Sequence, residues 1–184
     1  MKTPFLGGQT VYRSINVAYN RCVNLYPEVV ETKDGKDVGA LIGCPGMTKR
    51  LTLATTPVRA LFATPTILYA VAGNKFYSIT TGWVATERGT LLTSSGNVSM
   101  DWNGAQIMIV DGSNGYVYTI ATTTLAQITD VDFPGADVVR FIDGYFVFNW
   151  PGTGKFMITA LYDGSSMDAL DFATAESNPD NMVR

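Results

Sequence analysis

Few residues in this chain are of a type that does chemistry. There is no histidine, which removes His-based triads, Cys–His dyads and the common zinc sites. The two cysteines, Cys22 and Cys44, lie 22 positions apart and form no metal-ligand cluster. Two reduced, buried thiols are the ordinary reading. A cross-strand Cys22–Cys44 pair stays open, because both flank an expected hairpin. Gly152–Lys155 reads Gly-Thr-Gly-Lys, a fragment of a phosphate loop. The spacing GxxxxGK[ST] is absent, and Phe156 stands where Ser or Thr is needed. Lys155 follows Lys75 by 80 positions, two steps of the repeat described below, so both read as turn lysines.

The carboxylates are more numerous. Asp101, Asp111, Asp143 and Asp163 are the candidates for paired acid–base work of the glycosidase kind, which needs two carboxyl groups about 5–9.5 Å apart. Three of them directly precede glycine, as turn residues do. The segment Asp111–Gly115 has a faint calcium-loop look but lacks alternating acidic ligands and a terminal Glu. Asp130 and Asp132 are two apart and read as a solvated loop between repeats. Asn97–Ser99 fits a glycosylation sequon, with no secretion signal to support its use. Trp83, Trp102 and Trp150 share no repeat position, so core packing is expected rather than a sugar platform. No catalytic residue, cofactor or metal is assigned.

What the chain offers instead is a repeat. Val58, Val98 and Val138 stand 40 positions apart, as do Ile67, Ile107 and Val147, and Leu68, Met108 and Phe148. Phe76, Tyr116 and Phe156 keep the step, and so do Tyr77, Val117 and Met157. A period of about 40–45 residues built of short apolar strands marks a β-propeller blade. Each repeat has an apolar stretch (58–62, 98–102, 138–142) and a turn (64–66, 103–104, 143–144). A β-rich run follows (67–71, 107–110, 145–148), then a Gly/Asn turn and a third strand (76–79, 116–120, 156–159). A weaker fourth strand is expected near Trp83–Val84, Leu125–Ile128 and Ala169–Phe172. Strands this short, split by Gly, Asn and Asp, suit antiparallel meanders.

The expected fold is therefore all-β and β-propeller-like. About three four-stranded blades of ~40 residues (58–97, 98–137 and 138–184) follow an N-terminal extended and hairpin section, residues 1–57. Propellers typically use 4–8 blades, so this one reads as incomplete, one domain of a longer protein. Within the N-terminal section, Lys33–Lys36 carries Asp-Gly, which tolerates the positive φ of a type I′ hairpin turn. Exposed loops carry contacts in a blade protein because the strands are committed to the core. Arg13, Tyr19, Asn20, Tyr26, Lys33, Asp34 and Lys36 are accordingly the candidate assembly contacts.

Composition sets outer limits. Hydrophobic residues make up 46% and charged residues 16%, enough for a substantial core and too apolar for global disorder. No apolar run approaches the ~18 residues of a membrane span. Net charge is −3, whereas nucleic-acid binders usually show a basic stripe. The one basic cluster, Lys49, Arg50 and Arg59, reads as a solvated loop, and no sequence-specific nucleic-acid binding is expected.

Several stretches resemble one family. Val23–Glu28 and Cys44–Arg50 resemble the opening of the packaged-DNA stabilization proteins of short-tailed bacteriophages, also called tail accessory factors or tail hub proteins. Leu68–Tyr77, Asn97–Met100, Phe156–Leu161 and Ala175–Asp180 follow in the family's order across nearly the whole chain. Members are much longer, which agrees with an incomplete blade count. The resemblance implies a non-enzymatic virion protein, made in the host bacterial cytoplasm. It implies a homo-oligomeric ring beneath the portal and head-completion proteins that closes the tail channel and bears the tail needle. The competing readings are a cellular scaffold propeller and, more remotely, a propeller enzyme.

Overall fold

The computed structural model describes residues 24–30 and 38–175. The chain divides into two compact units, residues 1–49 and 50–184.

In the first unit, β1 (Leu25–Val30) and β2 (Val38–Gly43) form an antiparallel pair, with Leu25 opposite Gly43 and Val30 opposite Val38. The Cys44 N–H donates to Asn24 O at 2.9 Å, one step beyond the last pair. The connecting residues 31–37 lie outside the described residues, as does Cys22.

The second unit is three four-stranded antiparallel meanders. Blade 1 contains β3 (Val58–Ala63), β4 (Leu68–Ala72), β5 (Lys75–Ile79) and β6 (Ala85–Thr90). Blade 2 contains β7 (Ser99–Trp102), β8 (Gln106–Val110), β9 (Gly115–Thr119) and β10 (Thr124–Gln127). Blade 3 contains β11 (Val139–Ile142), β12 (Tyr145–Asn149), β13 (Lys155–Ala160) and β14 (Asp163–Thr174). Among the described residues the sheets do not close into a ring, as expected of an incomplete propeller. The turns behave as their residues dictate. Asp143 and Gly144 both take positive φ, 51° and 95°, joining β11 to β12 through the two-residue loop that this pair favours. Asp111 holds its own turn, its Oδ1 accepting the Asn114 N–H at 2.9 Å.

One expected strand sits elsewhere. The fourth strand of blade 1 starts at Ala85, and Trp83 lies in the preceding turn with φ 61°. A tryptophan in the left-handed region cannot continue a strand.

Two cores lie between the blades. Tyr69, Val71 and Phe76 of blade 1 meet Ile107, Ile109, Tyr116 and Tyr118 of blade 2. Met108, Val110 and Val117 of blade 2 meet Phe146, Phe148 and Met157 of blade 3. Glycine allows the close approach at each junction. A Cβ on Gly89 would stand 2.5 Å from Leu125 Cδ2, and one on Gly115 would stand 2.7 Å from Phe133.

This packing revises the repeat. Across the strand pairings, Ile107 is placed as Leu68 and Phe146 are, 39 positions to either side, not as Ile67 and Val147. Phe76 looks toward blade 2, yet Tyr116, 40 positions on, looks back toward blade 1. The structural step is 39 from blade 1 to blade 2. From blade 2 to blade 3 it is 39 as far as β12 and 41 afterwards, because the β12–β13 loop is two residues longer than the β8–β9 loop. A step of 40 equates residues on opposite faces of the sheet, since side chains alternate with period two.

Candidate functional site

The innermost strands β3, β7 and β11 stand side by side and line an open groove of about 490 Å³. Arg59, Leu61, Asp101 and Arg140 are among its walls. β3 and β11 leave Leu61, Arg140 and Ile142 exposed, because among the described residues each has another inner strand on one side only, whereas β7 stands between the two.

The inner strands are bonded through side chains rather than ladders. Asp101 Oδ2 accepts the Phe141 N–H at 2.8 Å, and Ser99 Oγ accepts the Val139 N–H at 3.2 Å. Blade 2 thus satisfies donors on the inner edge of blade 3 that would otherwise stay open. Asp101 Oδ1 takes the Trp102 N–H at 2.8 Å.

Arg59 fastens the connection between blades 1 and 2. Its Nε donates to Gly96 O at 2.8 Å, and Nη1 donates to Gly73 O at 3.0 Å and Thr93 O at 2.8 Å. Nη2 donates to Thr93 Oγ1 at 2.9 Å and Ser95 O at 2.7 Å. Burial lowers the guanidinium pKa, while the Asp111 carboxylate works in the opposite direction. Arg59 is therefore a structural clamp, not part of a solvated basic loop with the exposed Lys49 and Arg50. Only the fold brings its carbonyl partners, 14 to 37 positions away, within reach.

Asp130 and Asp132 also depart from the solvated-loop reading. Asp130 Oδ2 accepts the Met167 N–H and Asp132 Oδ2 accepts the Ala169 N–H, each at 3.3 Å. The two carboxylates tie the connector to β14.

At the end of the blades where β13 turns into β14, Asn103 Nδ2 donates to Tyr162 O at 3.0 Å. The Gly164 N–H donates to Gln106 Oε1 at 3.0 Å. Partial burial raises the Asp163 carboxyl pKa, but hydrogen bonds from Ser165 and Gln106 outweigh it and hold the group below its ordinary value. At the same end of blade 1, residues 63–68 and 79–81 with Trp83 border an apolar cleft of about 310 Å³.

Three of the four acid–base candidates serve the fold. Asp101 is committed to two backbone donors, Asp111 to Asn114 and Thr93, and Asp163 to Ser165 and Gln106. Asp111 lies in the β8–β9 turn, at the end of its blade opposite to the β11–β12 turn that holds Asp143 and to the start of β14 at Asp163. Among the described residues no cluster of three His, Cys, Asp or Glu is placed to hold a metal ion. No helix among them is long and apolar enough to cross a membrane.

Of the candidate assembly contacts, Tyr26 is exposed on β1. Arg13, Tyr19, Asn20, Lys33, Asp34 and Lys36 lie outside the described residues.

Comparison with known proteins gives one match of full length. The family described as "Bacteriophage P22 Gp10, beta-propeller" matches residues 1–184. Among curated proteins none matches the chain. Among solved structures, the chain is similar to PorZ, a surface component of the type-IX secretion system of Porphyromonas gingivalis. Identity is 13% and the TM-score 0.41, over 69% of this chain and 24% of that one.

Proposed function

The chain belongs to the bacteriophage P22 Gp10 β-propeller family of stabilisation proteins, and from that premise we propose that it closes the portal channel after DNA packaging. The family makes it a structural protein of the phage virion. In this reading it assembles as a ring under the portal and head-completion proteins, keeps packaged DNA inside and gives the tail needle its platform. The observation that supports this most is the match along all 184 residues, together with a blade stack in which Asp101, Asp111, Asp130, Asp132 and Asp163 accept backbone N–H groups. A net charge of −3 fits a plug better than a grip on phosphates.

Arg13 to Pro27 and the Lys33–Lys36 turn are the proposed contact segments of that ring, with exposed Tyr26 among their described residues. The test is to delete the gene from the source prophage and measure DNA content in purified heads. Heads that package DNA and then lose it are the expected result. Heads that retain full-length DNA and bear tails overturn the proposal. Deleting residues 33–36 alone should impair tail attachment, and normal particles would remove the hairpin from the contact set.

A further inference from the structure

The end turns of blades 2 and 3 are laced together by a backbone hydrogen bond. The Ile120 N–H donates to Ala105 O at 3.0 Å, and the Tyr162 N–H donates to Gly144 O at 2.7 Å. In blade 1 the matching strand pairings put Thr66 and Thr81 in the places of Ala105 and Ile120. This pair makes no such bond. Both residues are exposed, and both border the open cleft of about 310 Å³ at this end of the blade. Its size falls among small-ligand sites, about 300–1,000 Å³.

Trp83 borders this cleft and is 45% exposed. Its backbone does not account for its choice. A positive φ precedes the last strand of every blade, at Trp83, Thr123 and Tyr162 (61°, 54° and 56°). That conformation favours Gly or Asn and disfavours a bulky ring. Tyr162 turns its ring onto Phe141, with centroids 5.8 Å apart. Trp102 packs against the first inter-blade core and Trp150 against the second. Trp83 joins no core among the described residues.

We propose that this cleft is a binding site for a neutral carbohydrate, with Trp83 as the stacking face for a pyranose ring. The inference stands on the cleft and is independent of the channel-closing role. No residue bordering the cleft is charged. A phosphate, a carboxylate or an amine would be desolvated there without a partner of opposite charge. Pro65, Leu68 and Ile79 give the cleft apolar walls. Thr66, Thr80 and Thr81 bring hydroxyls, each with one donor and two acceptor lone pairs. A purely apolar ligand would cover these hydroxyls and leave them unpaired. A pyranose has both characters: a face of C–H groups that stacks on an indole, and a rim of uncharged hydroxyls that donate and accept. The main-chain groups of Thr66 and Thr81, which lack the bond made in blade 2, add one acceptor and one donor.

The test titrates the protein, expressed from its natural gene, with a panel of neutral di- to hexasaccharides of hexoses and deoxyhexoses. Tryptophan fluorescence and calorimetry read the binding. Saturable binding of at least one member is expected, with a shift in tryptophan emission. Trp83→Ala should weaken it about tenfold or more, as loss of an aromatic anchor does. Trp83→Phe keeps a ring and should retain most of the affinity. Thr81→Val, in the same exposed turn, tests the site without removing the ring and should weaken the same sugar several-fold. Unchanged affinity in both Trp83→Ala and Thr81→Val overturns the placement of the site. No binding by any panel member overturns the proposal. Binding confined to sialylated or sulfated glycans, to decaproline or to decanoate overturns the assignment to a neutral sugar.

Discussion

The Asp101 carboxylate on β7 accepts the backbone N–H of Phe141 on β11 at 2.8 Å, 40 positions along the chain. Its other oxygen holds the Trp102 N–H. One side chain therefore joins two blades and satisfies two donors. Asp101→Ala leaves both unpaired, which costs about 1–3 kcal/mol for a desolvated group. Asp101→Asn keeps one carbonyl acceptor and should lose less. Urea denaturation of the two variants against the parent checks the order. Equal stability of all three would show that water replaces the carboxylate.

Arg59 makes five hydrogen bonds to the β4–β5 turn and to the connector between β6 and β7. Lysine keeps the charge but not the planar fork. Arg59→Lys should cost about 1–2 kcal/mol and Arg59→Met more, because the freed carbonyls are only partly solvated. Hydrogen exchange should show residues 93–96 opening more readily than the β8 amides in both variants.

Tyr69, Phe76 and Tyr118 form a three-ring cluster across the junction of blades 1 and 2, with centroids 5.1–5.7 Å apart. Tyr118→Ala removes a buried ring from two partners, at a cost of about 3–5 kcal/mol. Tyr118→Phe keeps the packing and should cost under about 1.5 kcal/mol. Thermal unfolding followed by near-ultraviolet circular dichroism reads both, because the ring contacts give the signal.

The buried tyrosines of this junction set an alkaline limit. Burial raises the pKa of Tyr69, Tyr116 and Tyr118 above the ordinary 10.0. A raised folded-state pKa means that the native state holds its protons longer than the unfolded state. Its contribution is full below pH 10 and is lost as pH rises through the folded values. Asp163 has the opposite sign. Its lowered pKa favours the fold above about 3.8 and the benefit fades as pH falls through the lower folded value. A stability profile should therefore decline at both extremes. Asp163→Asn should flatten the acid side, and an unchanged acid limb would assign it to other carboxylates.

Much was legible before any coordinates. Short β-branched and aromatic runs, broken by Gly, Asn and Asp, announced four-stranded meanders, and the turns at Asp111–Gly115 and Asp143–Gly144 stand where their residues place them. The order of the motifs from Val23 to Asp180 pointed to the family that matches the whole chain. Asp130 and Asp132 were legible as connector residues but not as anchors for β14, and Arg59 was not legible as a clamp. Arg59 reaches carbonyls 14 to 37 positions away and the two aspartates reach amides 37 positions away, and no local pattern announces them.

Which way each side chain faces was also beyond the sequence. A middle strand such as β8, with Ile107 and Ile109 against blade 1 and Met108 and Val110 against blade 3, is buried on both faces. It reads as one unbroken apolar run. Slipping such a run by one residue leaves its hydrophobic pattern intact while it turns every side chain over. Composition and period therefore determined the blades and their approximate length. Only the packing of one blade on the next decided that the step is 39 or 41 rather than 40, and with it which residues meet across each junction.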